Sequence, residues 1–223
     1  MSILVYKDRS IAGAAAATLL AAQVIEKPDA VLGLDYQEAL APVYRALSRM
    51  SVDGLLDWSE IRTFTLSELV RVAQGQTIRA RMDSVLFDRI NIRAENQYFP
   101  DTDAEDWNQS CNAYEEYILD VGGIDLLFLS INSDGSIAFL PGAQELAPVT
   151  HVECTDDGGR AVTVGITTIM SAKKIVVLMT GADRASVAKK MFRGAVNPMI
   201  PASYLQLHAN AVFLLDEAAA ELI

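Results

Sequence analysis

Four stretches of this 223-residue chain carry side chains able to move protons or hold charge, and each stands at or just beyond the end of an apolar run. Asp35-Tyr36-Gln37-Glu38 follows the run 30–34, Ser67-Glu68 follows 61–66, Asp134-Gly135-Ser136 follows 125–131, and Asp183-Arg184 follows 175–180. Carboxylates so placed suit general acid–base work, which needs a side chain within hydrogen-bond reach of the reacting group. Ser67 and Ser136 are poor substitutes for a carboxylate unless a neighbour activates them. An enzyme built on these groups needs Asp134, Ser67, Ser136, Glu68 and Arg184 to converge on one open pocket. A plainer reading stands beside it, because Asp and Gly are the residues a turn after a strand favours. His151 and His208, the two histidines of the chain, read in the same plain way as packed or surface imidazoles.

The elements that must position these groups are legible as runs and periods. Continuous apolar runs at 3–6, 30–34, 61–66, 125–131, 175–180 and 211–215 suggest strands covered on both faces, as in a parallel sheet. Helical candidates lie between them at 10–26, 39–50, 77–89, 102–121, 183–193 and 216–222. Alternation of this kind predicts a doubly wound α/β sandwich, and in such sheets ligands bind beyond the carboxyl ends of the strands. The loops to inspect therefore begin after Leu34, Leu66, Ile131 and Thr180. Asp156-Asp157-Gly158-Gly159-Arg160 reads as a turn joining two elements. Asp35, with Glu38 three residues later and a helical run behind it, has the pattern of a capping box, although the box proper uses Ser or Thr at the cap. It predicts that Asp35 or Glu38 accepts an N–H from the first turn of that helix, where the helix dipole stabilises a carboxylate.

Composition narrows the classes. The even spread of apolar runs gives no shift that would mark a second domain, so 1–223 is read as one domain. A formal net charge of −11 opposes any polyanion, and no cluster of Lys and Arg with interleaved aromatics offsets it, which argues against nucleic acid as a partner. Cys111 and Cys154 make no metal spacing and no disulfide framework and read as reduced thiols of a cytoplasmic protein. No metal or cofactor is expected. The stretch 11–25 behind Lys7 and Arg9 resembles a signal peptide only superficially, since it is mostly alanine and has the composition of a buried helix. Nothing reaches the roughly 20 strongly apolar residues of a spanning helix, so no membrane partner is expected.

Several local patterns together carry a family resemblance. Gly122-Gly123-Ile124-Asp125-Leu126-Leu127 enters a strand, Asp134-Gly135-Ser136-Ile137-Ala138-Phe139 follows it, and Pro201-Ala202-Ser203-Tyr204-Leu205-Gln206-Leu207-His208 stands near the end. In order and spacing, over roughly 190 residues, the chain resembles the superfamily of glucosamine-6-phosphate deaminases (isomerases) and 6-phosphogluconolactonases. The resemblance implies a mostly parallel sheet with helices on both faces, of the deaminase, ribose-phosphate isomerase and CoA transferase type. It also implies a role in amino sugar phosphate metabolism, a sugar phosphate or related small ligand, and self-association.

The chemistry implied by the resemblance is broken at several places. The family's proton-abstracting aspartate falls on Ser67, and Glu68 beside it points the other way in an extended segment. The ring-opening histidine falls on Ser136, which weakens a lactonase reading as well; of that cluster Asp134 remains. The phosphate-binding glycine turn falls on Tyr36, Gln37 and Glu38, where no glycine lets the backbone approach an anion. Arg184 falls on the phosphate-binding lysine and keeps its charge. The expectation is a relative without deaminase activity that acts by binding or regulation. The alternative is an isomerase, deaminase or lactonase type of enzyme with altered chemistry on a sugar phosphate.

Overall fold

Each of the six apolar runs contributes a strand in the computed structural model, which describes residues 1–223 apart from the side chain of Gln74. In chain order the elements are β1 (Ser2–Tyr6), α1 (Arg9–Glu26), β2 (Val31–Leu34), α2 (Ala41–Val52), β3 (Arg62–Thr65), β4 (Ser67–Val70), α3 (Ile78–Val85) and β5 (Gln97–Tyr98). They continue with α4 (Trp107–Asp120), β6 (Leu126–Ser130), β7 (His151–Cys154), β8 (Arg160–Thr163), α5 (Ile166–Met170), β9 (Ile175–Met179), α6 (Ala185–Arg193), β10 (Ala211–Asp216) and α7 (Glu217–Ala220). Among the described residues, seven strands form one sheet in the order β1-β10-β9-β6-β2-β3-β5, with every neighbouring pair parallel.

The absence of polar alternation in the strands has its cause in this arrangement. Successive strand residues point to opposite faces, so in β6 Leu126 and Phe128 join one core while Leu127 and Leu129 join the other. The first core takes Leu20 of α1, Tyr44 and Leu47 of α2 and Met82 of α3. The second takes Ile118 of α4, Ile169 of α5, Met191 of α6 and Ala219 of α7. Each fully buried large side chain among them contributes about 1.5–3 kcal/mol of transfer free energy. Gly33 of β2 answers to the same crowding, since a Cβ there would lie 2.3 Å from Leu127 Cδ1.

Helix boundaries follow their caps. Asp8 Oδ1 accepts from the N–H groups of Ser10 and Ile11 and opens α1. Asp106 accepts from Gln109 N, so α4 starts at Trp107 and not at 102. The run 77–89 divides into α3 and a 3-10 turn at Phe87–Arg89. α2 starts at Ala41, two residues later than expected, with Pro42 in the first turn where its missing N–H has no cost.

The run 61–66 gives the one strand β3, and the segment just beyond it forms a further strand that the apolar runs did not indicate. β3 ends at Thr65, and β4 leaves the main sheet to pair antiparallel with β8, which pairs in turn with β7. The segment 156–160 forms the expected turn, joining β7 to β8 with Thr155 N donating to Gly159 O at 3.1 Å and Gly158 at φ +82°. Among the described residues no helix is long and apolar enough to cross a membrane.

Candidate functional site

In the main sheet the chain runs from β2 outward through β3 to β5, then returns to the other side of β2 and runs outward through β6, β9 and β10. The order reverses between β2 and β6. At such a reversal the loops after the two strands part and leave a crevice beyond their carboxyl ends. A cleft of about 690 Å³ lies there, lined by Asp35, Tyr36 and Gln37 from the loop after β2 and by Asn132, Asp134 and Ser136 from the loop after β6.

Asp35 is held into the sheet as much as into the loop. Its N–H donates to Phe128 O of β6 at 2.9 Å, and the Tyr44 hydroxyl of α2 donates to its carbonyl. Its side chain is 1 % exposed. Oδ2 accepts from Ser130 N at 3.3 Å and from Gln37 Nε2 at 3.2 Å, while Oδ1 is buried with no partner among the described residues. Burial is the largest influence and outweighs Ser130, Gln37 and the nearby Tyr36 backbone, which act the other way; the carboxyl is pushed up to about 6. A carboxyl in that range is ready to take or give a proton at neutral pH.

The capping-box expectation for this loop is overturned. Asp35 turns toward β6, Glu38 accepts from the Tyr36 hydroxyl at 3.0 Å, and the first turn of α2 has no side-chain cap. The reason is reach: α2 begins six residues after Asp35, whereas a cap must stand beside the N2 or N3 amide it satisfies.

The loop after β6 is a tight turn in which Asn132 N donates to Ser136 O at 3.1 Å and Gly135 takes φ +92°. Ser136 Oγ donates to Asp134 Oδ1 at 2.7 Å and accepts from Asn132 Nδ2 at 2.8 Å. The Ser136 hydroxyl is thereby committed at both ends. Asp134 can polarise it, but an alcohol does not carry a proton at neutral pH as an imidazole does.

The five groups on which an enzyme reading depends do not converge. Asp134 and Ser136 line the cleft; Ser67, Glu68 and Arg184 do not. Ser67 is 2 % exposed in β4, across from Thr163 of β8, while Leu69 two residues on reaches the cleft. Glu68, on the opposite face as expected, is buried at the start of α3. Its oxygens accept from Leu69 N and Ile78 N at 2.7 Å and from Arg79 N at 2.8 Å. Arg184 stands just before α6, where Nε donates to Ile131 O at 3.3 Å and the guanidinium pairs with Asp183. Of the Tyr36, Gln37 and Glu38 set, the first two line the cleft. His151 and His208 are bonded to the backbone carbonyls of Val149 and Ala172 and lie outside it.

Two carboxylates of the cleft were missed in the sequence. Asp156 and Asp157, in the turn between β7 and β8, line it together with Cys154 and Thr155. The turn itself was visible as Asp-Asp-Gly-Gly, but nothing local says where a hairpin tip will land. Among the described residues no Lys, Arg or His lines this cleft, and no group of three His, Cys, Asp or Glu is placed to hold a metal ion.

Residues 11–214 match the family model described as glucosamine-6-phosphate isomerases/6-phosphogluconolactonase. The chain is 36% identical to a glucosamine-6-phosphate deaminase of Alkaliphilus oremlandii, covering 93% of this chain and 94% of that one. It is 34% identical to a glucosamine-6-phosphate deaminase of Clostridium perfringens, covering both chains completely. Among solved structures, a monomeric glucosamine-6-phosphate deaminase superposes with a TM-score of 0.95 at 27% identity over the full length of both chains. The 6-phosphogluconolactonase of Trypanosoma brucei shares the fold, with a TM-score of 0.84 at 22% identity over 99% of this chain and 97% of that one.

Proposed function

We propose, from the premise that this chain belongs to the family of glucosamine-6-phosphate isomerases and 6-phosphogluconolactonases, that it keeps the family's cleft as a small-molecule site of carbohydrate metabolism without deaminase chemistry, acting by binding or regulation. The observation that carries this reading is the state of two serines. Ser67 and Ser136 stand where the resemblance puts the proton-abstracting aspartate and the ring-opening histidine. Ser67 is buried away from the cleft, and the Ser136 hydroxyl is closed between Asp134 and Asn132. Loss of a positioned acid or base costs about 10²–10⁴ in rate each, and losses in a coupled site do not simply multiply.

The anion side supports the same reading. Tyr36, Gln37 and Glu38 stand in place of a glycine turn, and Arg184 is engaged with Asp183 and the Ile131 carbonyl. The test is ammonia release from glucosamine 6-phosphate and hydrolysis of 6-phosphogluconolactone by the purified protein. The expected result is no turnover of either. Turnover at about 1 s⁻¹ or more, an ordinary enzymatic rate, overturns the proposal.

One observation favours the second reading, an enzyme with altered chemistry. Asp35, with its carboxyl at about 6, shares the cleft with Asp134 and Ser136 and has the acidity of a general base. Under that reading a sugar substrate is turned over with a rate that rises through pH 6 and is lost in Asp35→Asn.

A further inference from the structure

The run 3–6 reads in the sequence as a strand covered on both faces, but β1 ends the main sheet uncovered. It pairs with β10 on one side, with Ile3 beside Phe213, Leu4 beside Leu214 and Val5 beside Leu215. The three β10 residues are fully buried, Leu214 in the first core and Phe213 and Leu215 in the second. Their neighbours Ile3, Leu4 and Val5 are 37 %, 43 % and 51 % exposed. Both cores therefore run out at β1 as bare apolar surface, with Leu4 on the α1 face and Ile3 and Val5 on the α7 face.

The two ends of the sheet differ. At the far end β5 is two residues long and half-buried, and a very short edge strand is one way proteins keep other chains from pairing. β1 has five residues, Ser2-Ile3-Leu4-Val5-Tyr6, in unbroken register with β10 and without a charge or a proline. Such a strand presents unpaired N–H and C=O groups as a template for another chain.

We propose that β1 pairs antiparallel with β1 of a second copy of this chain, so that one sheet runs through a two-fold dimer. An occupant of this edge must bring a free strand edge that is uncharged and apolar on both faces, and β1 itself meets that need. Turned end for end about Leu4, it sets Leu4 against Leu4 and Ile3 against Val5, cross-strand pairs of the kind that stabilise a sheet. The contact is the self-complementary one a two-fold axis requires. Ile11 in the first turn of α1 and Leu222 just after α7 are exposed, and both helices pack against β1. With Met1, Ile3, Leu4 and Val5 they leave on the order of 500 Å² of apolar surface, at the upper end of what a monomer exposes. Main-chain and polar atoms added, the edge approaches the roughly 800 Å² per partner of a stable interface.

Sedimentation equilibrium of the full chain tests the assignment at physiological ionic strength, where a screening length of about 8 Å limits repulsion between copies of charge −11. Over about 1–100 µM the mass is expected to rise from one chain to two. Leu4→Lys sets like charges against each other at the axis and is expected to weaken association at least tenfold. Ile3→Thr/Val5→Thr keeps the branched shapes and is expected to weaken it several-fold, while Leu119→Lys, at an exposed apolar residue of α4, leaves it unchanged. Leu4→Cys in a Cys154→Ser background, with Cys111 buried, is expected to give a covalent dimer on mild oxidation, since opposed Cα atoms lie about 4.5–5.5 Å apart. Should Leu4→Lys fail to fold by circular dichroism, the threonine pair and the crosslink decide. A mass of one chain throughout, the state of the monomeric deaminase on which this fold superposes, overturns the proposal and leaves the edge to a strand of another protein. A two-chain mass that the β1 variants leave unchanged, or the absence of the crosslink, overturns it equally.

Discussion

Asp35→Asn should change the pH dependence of stability in a way no other substitution in the cleft can. The carboxyl rises from the 3.8 of a free aspartate to about 6 in the folded chain, so the fold prefers the protonated form. Its stabilising contribution is full below 3.8 and is lost as pH rises through 6. Each tenfold change in acid strength corresponds to about 1.36 kcal/mol. The loss between the two limits is therefore about 3 kcal/mol, of which about 2 kcal/mol falls between pH 4.5 and pH 8. The side chain is 1 % exposed, so solvent screening does not discount the figure much. The asparagine keeps an oxygen for Ser130 N and Gln37. Its NH₂, in place of the unpartnered Oδ1, costs about 1–3 kcal/mol if it too finds no partner. That cost is the same at every pH and moves the curve without bending it. Urea denaturation of both proteins at pH 4.5, 6 and 8 should show the variant gaining on the parent by about 2 kcal/mol across the range, or about 4–8 °C in melting temperature for a chain of this length. Parallel pH profiles for parent and variant would refute the reasoning.

Three further outcomes are expected. Ser67→Asp combined with Ser136→His should leave ammonia release from glucosamine 6-phosphate near background, because position 67 is buried away from the cleft and the phosphate side is not restored; a coupled ammonia assay checks it, and robust turnover would show that the two serines were the only obstacle. Glu68→Ala should lower stability by about 2–4 kcal/mol in urea titration, since three N–H groups at Leu69, Ile78 and Arg79 lose their acceptor, and Glu68→Gln should cost less. Gly33→Ala should cost about 1–3 kcal/mol by overpacking against Leu127, with a lower melting temperature as the measure.

The parallel sheet was written locally. A run such as 175–180, apolar at nearly every position, is stable only where both faces are covered, and that condition alone implies helices on either side of the sheet. The family's motifs were equally local, and so were the two serines at positions where its chemistry needs an aspartate and a histidine. Tertiary structure decided what depended on partners far along the chain. β4 leaves the main sheet because Ser67 pairs with Thr163, and no pattern within 61–70 encodes that partner. Asp35 had the local signature of a helix cap, but its N–H is drawn to Phe128 of β6 and its carboxylate to Ser130. Those bonds bury it in a cleft that exists only because β2 and β6 are neighbours with their connections running in opposite directions. Asp156 and Asp157 reach the same cleft on a hairpin tip. Local periodicity reports which faces of an element are buried; which carboxylates share one cavity, and with what acidity, is set by non-local pairing and by the desolvation it imposes.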